Sequence, residues 1–421
     1  MEKISAVKGM QDIFQPEAGL WQYIESLIHA EMKVFAYGEI RTPILEKTEL
    51  FVRGVGGATD IVKKEMYTFS DKGGRSVTMR PEGTAPVVRA INEHGLLNSG
   101  DPISKYYYIG PMFRYERPQK GRLRQFHQFG AECCGSESPY IDAEVIQILY
   151  NVLVKLKLSD ISVRLNSLGC AGCRPIFKQN AEKYFGGIKD KLCPECAERI
   201  MVNPLRIYDC KTPSCKENIT GAPVILEHLC LCCKDHFNSV KSALDSLKVP
   251  FVVDALLVRG LDYYTRTAFE VTSKHLGAQN ALGGGGRYDG LISELGGPKT
   301  PAAGFAMGIE RVIIAMKNQG AAPELKTGCT VYVVPLTKNE FDYAFKLLDI
   351  LRKANIPSQM AISEKKAGAH FKDAEKSGAY FAVILGEDEI KNEAPTVKDL
   401  RKRTQQNVSE NELTGYILRN L

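Results

Sequence analysis

Two β-prone runs, KYYYIGPMFRYE and RQFHQFGAECCG, flank the connection RPQKGRL (residues 117–123). Turn residues between two such runs predict a long antiparallel hairpin. The arrangement gathers Arg114, Arg117, Lys120, Arg122 and Arg124 at one end of it. Guanidinium groups present a planar fork of donors and stay charged, so cations on a hairpin tip suit a polyphosphate. Strand alternation puts Glu116 on the face of Arg114, where its carboxylate can accept from an exocyclic amine such as that of adenine. On residue content alone, a solvated basic hairpin with Glu116 in a surface ion pair accounts for the same pattern. By the same alternation His127 turns away from Gln128, which gives it a packing role, and Cys133 and Cys134 read as buried thiols.

The hairpin is one part of a larger chain. At 421 residues the polypeptide exceeds the size at which one hydrophobic core stops growing, and two or three domains are expected. Helical spacing in LWQYIESLIHAEMKVFAYG, stopped by Gly38, precedes a short β-rich run, IRTPILE. SVTMRPEGTAPVVRAINE reads as strand, turn at Pro81–Gly83, and helix. After the hairpin come a helix (YIDAEVIQILYNVLVKLKL) and a strand (ISVRLNSL). Strand-like patterning with glycine turns resumes at FVVDALLVRGLDYYTRTAFEVTS and NALGGGGRYDGLISELGG, as though a sheet had been interrupted. A helix near GIERVIIAMKNQG leads to a linker, AAPELKTG. From Cys329 onward the order strand, helix, helix, strand predicts a small α/β domain.

Between the two sheet-forming parts lie eight cysteines, Cys170, Cys173, Cys193, Cys196, Cys210, Cys215, Cys230 and Cys233, with Cys232 as a ninth. The N-terminus lacks the charged region and apolar stretch of a signal peptide, and no apolar run approaches a membrane span, so a cytoplasmic protein with reduced thiols is expected. Clustered reduced thiols at short spacing suit tetrahedral metal sites. The spacing allows two four-thiolate zinc sites, one site with spare thiols, or a set of partly buried thiols, and it does not fix the pairing; His228 and His236 are alternative ligands. A formal charge of +6 is compatible with a polyanionic partner without demonstrating one. Hydrophobic residues at 44% and charged residues at 25% exclude a disordered or membrane chain.

Several separated motifs together resemble one family. Phe113-Arg114-x-Glu116 resembles motif 2 of the class II aminoacyl-tRNA synthetases, IRTPILE with Pro43 their motif 1, and GFAMGIERV their motif 3. LVRGLDYYTRTAFEV (257–271) and ALGGGGRYDGL (281–291) resemble the two signatures of the histidyl-tRNA synthetase family, and MRPEGTAPVVRA fits it too. The resemblance runs from KGMQDIF near the start to ILGEDEI and VKDL in the tail.

That resemblance implies an α+β fold. A class II catalytic domain on a mixed, mainly antiparallel sheet flanked by helices would occupy residues 1–168 and 251–320. A cysteine-rich insertion would span 169–250, and an α/β anticodon-binding domain 328–421. It implies ATP-dependent attachment of histidine to its tRNA through a histidyl-adenylate, in a cytoplasmic homodimer, with Mg2+ accompanying ATP and any Zn2+ structural. Arg114 and Arg259 would straddle the α-phosphate as the catalytic residues. Arg311 would hold the γ-phosphate and Glu116 would read adenine. Glu82, Thr84 and Gln128 would surround the α-ammonium, Glu132 and Tyr264 would read the imidazole, and Tyr263 would line the pocket. Gln119, Lys120 and Arg122 would meet the tRNA acceptor end, where the insertion would also rest. A neutral imidazole offers one donor and one acceptor, so a pocket that pairs both can reject apolar competitors by roughly 10⁴-fold without editing. The alternative is a catalytically inactive, synthetase-like regulatory subunit of histidine biosynthesis. Such proteins tend to lose the arginines and the C-terminal domain, and both are present here. A zinc-dependent nucleic-acid binder would explain the cysteines but not the separated motifs.

Overall fold

The structure, a computed structural model of the chain, describes residues 3–57, 59–98, 103–277, 280–325, 328–363 and 365–421. The chain divides into two compact units: Met1–Ile13 with Leu20–Ala322, and Phe14–Gly19 with Pro323–Leu421.

In the first unit the strands are β1 (Gly38–Glu39), β2 (Leu45–Lys47), β3 (Tyr67–Ser70), β4 (Ser76–Met79), β5 (Ser104–Phe113), β6 (Gln125–Cys134), β7 (Ile161–Ser167), β8 (Phe251–Val253), β9 (Thr265–Ser273), β10 (Ala281–Arg287) and β11 (Ala302–Gly308). Eight of them form one sheet in the order β1-β5-β6-β11-β10-β9-β7-β8. Only its two edge pairs, β1 with β5 and β7 with β8, run parallel. β2, β4 and β3 make a separate small sheet. The hairpin expected from sequence is β5 and β6, joined through Phe113 opposite Gln125. Because β9 pairs with both β7 and β10, the sheet continues across the cysteine-rich region.

Helix Pro139–Lys155 covers part of this sheet. Ser138 starts it, its hydroxyl accepting the Tyr140 N–H at 3.3 Å, and Pro139 at the first position needs no partner for a missing N–H. Val145, Ile148, Leu149 and Val152 then fall on one buried face, each worth roughly 1.5–3 kcal/mol of burial. Helix Glu17–Val34 buries Leu20, Ile24 and Ile28 in the same way. It stops at Val34 rather than Gly38, because Ala36 already adopts left-handed backbone at φ 57. IRTPILE is likewise not one strand: only Leu45–Lys47 pairs, and Pro43 lacks a ladder donor.

The run Gly283–Gly286 forms the middle of β10, between β9 and β11. A Cβ on Gly285 would overlap the carbonyl oxygen of Gly304 and stand 2.6 Å from Phe305 Cα. Glycine is required there by crowding between backbones.

From Leu168 to Pro250 the chain makes helices and turns only: Cys173–Gly186, Pro194–Val202, Pro213–Ile219 and Leu231–Ser246 are its α-helices. Their core joins Phe177, Phe185, Ile200, Ile207 and Ile225 to five of the cysteines.

The second unit holds β12 (Val331–Pro335), β13 (Ser358–Met360), β14 (Phe381–Leu385), β15 (Thr396–Asp399) and β16 (Thr404–Asn407), in the order β13-β12-β14-β15-β16. β12 runs parallel to β13 and β14, while β15 and β16 are antiparallel. Val331, Val333, Phe381 and Val383 pack with Leu347, Leu351 and Ile417 of two helices. This is the expected α/β domain, with β13 added between the two predicted helices. Among the described residues no helix is long and apolar enough to cross a membrane.

Candidate active site

β6, β9, β10 and β11 form the floor of a cleft of about 250 Å3. Its walls bring together Glu82, Thr84, Arg114, Glu116, Arg122 and Gln128 from the first part of the chain with Arg259, Tyr263, Tyr264, Glu270 and Arg311 from the second. Glycine strands let these side chains approach the floor: a Cβ on Gly283 would stand 2.8 Å from the Ala306 carbonyl, and one on Gly284 2.6 Å from that of Phe269.

One end of the cleft is cationic. Arg114, just beyond β5, donates from Nε to the Pro81 carbonyl at 2.9 Å, and its guanidinium lies 5.2 Å from the Phe126 ring centre. Arg259 comes from the irregular segment before β9; its Nη1 is 2.9 Å from Glu270 Oε2, and its buried Nε has no hydrogen-bond partner. Arg311, in the first turn of helix Ile309–Gln319, bridges the carbonyls of Gly121 (3.1 Å) and Ala281 (2.7 Å). Burial, and then the nearby Arg122 charge, lower the Arg311 pKa. Arg122 pairs with Glu116 at 2.9 Å. Four guanidinium groups therefore face one space, Arg122 paired with Glu116 and Arg259 with Glu270, a field suited to a polyanion.

The other end carries acceptors and phenols. Glu82 receives the backbone N–H groups of Thr84 and Ala85, both at 2.8 Å, at the start of helix Thr84–Glu93. Burial nonetheless raises its pKa. Gln128 Oε1 is buried without a partner. A buried carboxyl and an unpaired amide oxygen are what an ammonium group would satisfy. Tyr263 and Tyr264 lie with rings 4.7 Å apart. Burial raises both phenol pKa values, so both hydroxyls stay protonated donors.

Glu132 joins this end of the site through Thr84. It is not in the cleft wall but beneath it, completely buried, accepting from the Thr84 hydroxyl at 2.6 Å and from the Tyr288 hydroxyl. Burial pushes its pKa up to about 8, against the opposing effect of those two hydrogen bonds. A Cβ on Gly304, opposite it on β11, would overlap its carboxylate. Gln119 and Lys120 lie outside the wall; Gln119 and Arg122 exchange backbone hydrogen bonds at 3.0 and 2.8 Å. His127 turns from the cleft, its Nδ1 2.9 Å from Glu310 Oε1 and its ring 4.8 Å from Trp21. Cys133 and Cys134 are fully buried, and burial pushes the Cys133 thiol up to about 12.

Sequence reasoning missed Glu270, Tyr288 and Tyr108. Glu270 and Tyr288 lie inside the two quoted signatures. Tyr108 left a weaker signal: its ring fills the space where Cβ atoms on Gly83 and Gly130 would stand.

The cysteines form two groups. Cys170, Cys173, Cys230 and Cys233 have all their sulfurs within 4.8 Å of one another, and so do Cys193, Cys196, Cys210 and Cys215. Both groups could hold a metal ion. Cys232 is exposed and in neither. His236 pairs with Asp142 at 3.3 Å, and His228 packs against Phe177, so neither histidine replaces a thiol.

Comparison with known proteins agrees with this architecture. The family description "Histidyl-tRNA synthetase" matches residues 9–172 and 224–312, and "Anticodon binding domain" matches 330–420. A protein of Thermodesulfovibrio yellowstonii named Histidine--tRNA ligase is 47% identical over 417 residues, covering 99% of both chains. Another of that name, from Desulforamulus reducens, is 47% identical over 97% of this chain and 98% of its own. The crystal structure of apo S. aureus histidyl-tRNA synthetase superposes with a TM-score of 0.85 at 35% identity, over 99% of this chain and 100% of that one. The chain belongs to the histidyl-tRNA synthetase family.

Proposed function

We propose that the protein is an aminoacyl-tRNA ligase that activates histidine with ATP and transfers it to its tRNA. The observation that carries this reading is the convergence of Arg114, Arg259 and Arg311 in one cleft with Glu82, Thr84, Gln128, Tyr263 and Tyr264. In the first step a carboxylate oxygen of histidine attacks the α-phosphorus of ATP, and the bond to pyrophosphate breaks. In the second, a ribose hydroxyl of the tRNA terminus attacks the acyl carbon, its proton is lost, and AMP departs. Neither step needs a protein nucleophile, and the buried Cys133 and Cys134 are unsuited to be one. What the chemistry needs is alignment of two substrates and stabilisation of charge growing on phosphate oxygens. Arg114 and Arg259 flank the α-phosphate, and the unpartnered Arg259 Nε is a donor free to meet it. Arg311 holds the γ-phosphate, Glu116 reads the adenine amine, and Mg2+ arrives with ATP as part of the substrate.

Glu82, Thr84 and Gln128 take the α-ammonium. At the pocket base Glu132, working with the phenol of Tyr264, recognises the two imidazole nitrogens, and Tyr263 closes the side. Gln119, Lys120 and Arg122 meet the tRNA acceptor end, and the second unit reads the anticodon. Catalytic residues 1–168 and 251–320, the insertion 169–250 and residues 328–421 act as separate domains. Phosphate contacts give salt-dependent affinity, and base contacts give identity. The enzyme works in the cytoplasm as a homodimer: Ile44, Leu45 and Phe69, exposed near motif 1, suit burial against a second copy. The insertion carries structural Zn2+. The regulatory-subunit reading is less supported, because full-length relatives are named as ligases. Exchange of pyrophosphate into ATP, tested with each amino acid in turn, should proceed with histidine alone; exchange absent with histidine or equal with another amino acid overturns the reading.

A further inference from the structure

The two cysteine groups have the dimensions of ion sites. Four sulfurs placed tetrahedrally about 2.3 Å from a zinc ion stand about 3.8 Å from one another. Cys170 Sγ lies 3.7 Å from Cys173 Sγ and 3.9 Å from Cys230 Sγ, and Cys193 Sγ lies 3.8 Å from Cys210 Sγ. A disulfide would need about 2.05 Å. In both groups a backbone N–H points at a sulfur: Cys230 N is 3.1 Å from Cys173 Sγ, and Cys193 N is 3.1 Å from Cys215 Sγ. The groups are nested in sequence. The outer one, 170–233, closes the base of the insertion at β7, and the inner one, 193–215, closes its far lobe.

Both groups also connect to the segment that carries Arg259 and Tyr264. That segment, residues 254–264, has neither strand nor helix to hold it. Arg174 directly follows Cys173, and its guanidinium donates to the backbone carbonyl of Tyr264 and, at 3.4 Å, to that of Leu168. Arg206 lies between Cys196 and Cys210; it donates to the Gly260 carbonyl at 2.8 Å and to Asp262 Oδ1 at 3.0 and 3.2 Å. Asn203 adds a third bond to the same oxygen at 3.1 Å. A cavity of about 570 Å3 is lined by Phe177, Val202 and Leu205 of the insertion and by Val258, Leu261 and Tyr264 of the segment, whose own apolar side chains pack into the catalytic core; the polar bonds from Arg174, Arg206 and Asn203 link the two.

We propose that two Zn2+ ions, one in each cysteine group, fix Arg174 and Arg206 and through them hold residues 259–264 in place, so that metal content sets histidine affinity. The cysteines and the two arginines are positioning residues, and the proposal rests on the histidine-activating function above. Inductively coupled plasma mass spectrometry of the full-length enzyme should find two zinc ions per chain, and Cys215→Ser and Cys230→Ser should each lose one. In histidine-dependent pyrophosphate exchange these variants should raise KM for histidine about tenfold or more, as expected for displaced pocket groups, and lower kcat as well, because Arg259 lies in the same segment. Arg206→Ala touches no thiol; it should keep both ions and raise KM similarly. Because it acts through the same link, combining it with Cys215→Ser should add little. Protein purified without zinc, or zinc lost from a folded variant with KM unchanged, overturns the proposal. So does an additive double variant. Absence of any exchange by the unaltered enzyme would instead refute the function on which the proposal stands.

Discussion

The cleft and the cysteine insertion are held together in opposite ways. The cleft rests on a continuous sheet whose central strands are held by backbone ladders on both sides; β6 alone buries seven consecutive residues, Gln128 to Cys134. The insertion has no strands, and two of its four helices, Pro194–Val202 and Pro213–Ile219, are short. Short helices are marginal without an added constraint, and the thiols sit inside the small core they share. A sheet can place arginines that are far apart in sequence at one point with no ligand present. A helical lobe of this size needs cross-links to hold a shape.

The largest effect should come from breaking the cleft while leaving the insertion untouched. Arg259→Ala is expected to lower pyrophosphate exchange by about 10²–10³-fold or more, the usual cost of removing one donor aimed at developing charge. Circular dichroism and metal content should stay as in the parent. Activity retained in a folded Arg259→Ala protein would remove that residue from the chemistry.

Next in size is a change in the sheet. Gly304→Ala would push a methyl into the Glu132 carboxylate and to 2.6 Å from the Ala131 carbonyl. Both neighbours are buried, one of them backbone, so a loss of about 3 kcal/mol is expected from overpacking. Urea unfolding followed by fluorescence measures it. A loss near zero would mean that the sheet yields as readily as a loop, and the contrast with the insertion would fail.

These residues also show how far the sequence could be read. Arg114, Arg259 and Arg311 were legible because each lies in a motif whose order along the chain is itself informative, and the structure brings all three to one cleft. The hairpin and helix Pro139–Lys155 were legible from periodicity and turn residues. Gly283–Gly286 gave no local sign of its place in a strand, because glycine alone signals a turn, whereas here the requirement for it comes from neighbouring strands, which local sequence does not contain. The position of Glu132 under the wall was hidden for the same reason: Tyr288 is far away in the chain and meets it only through the sheet. Cysteine pairing was open because CxxC repeats are alike, and only the fold nests one group inside the other.

A smaller effect, confined to a pH window, concerns Glu132. Its pKa stands at about 8 in the folded protein against an ordinary 4.5. Between those values the folded state holds a proton that the unfolded state has released, so stability present below about pH 4.5 is lost as pH rises toward 8. Glu132→Gln keeps the shape without the titration. Thermal melts across this range should show the parent falling relative to the variant; parallel curves would mean that the buried carboxyl titrates normally.

The smallest expected effect tests the insertion side of the contrast. Cys232 lies between Leu231 and Cys233 at the start of helix Leu231–Ser246, exposed and outside both sulfur groups. Its neighbours in the chain, one and two residues away, are Cys233 and Cys230, so a thiol set chosen by sequence proximity alone would readily include it. Geometry excludes it, because successive helical residues point about 100° apart and Cys233 takes the buried direction. Cys232→Ser should therefore retain both zinc ions, leave histidine KM unchanged and alter stability by no more than about 0.5 kcal/mol, the range of a surface substitution. Loss of one ion from this variant would show that the outer group is assembled from different thiols, and that the link from Cys173 through Arg174 to Tyr264 is not the one the metal holds.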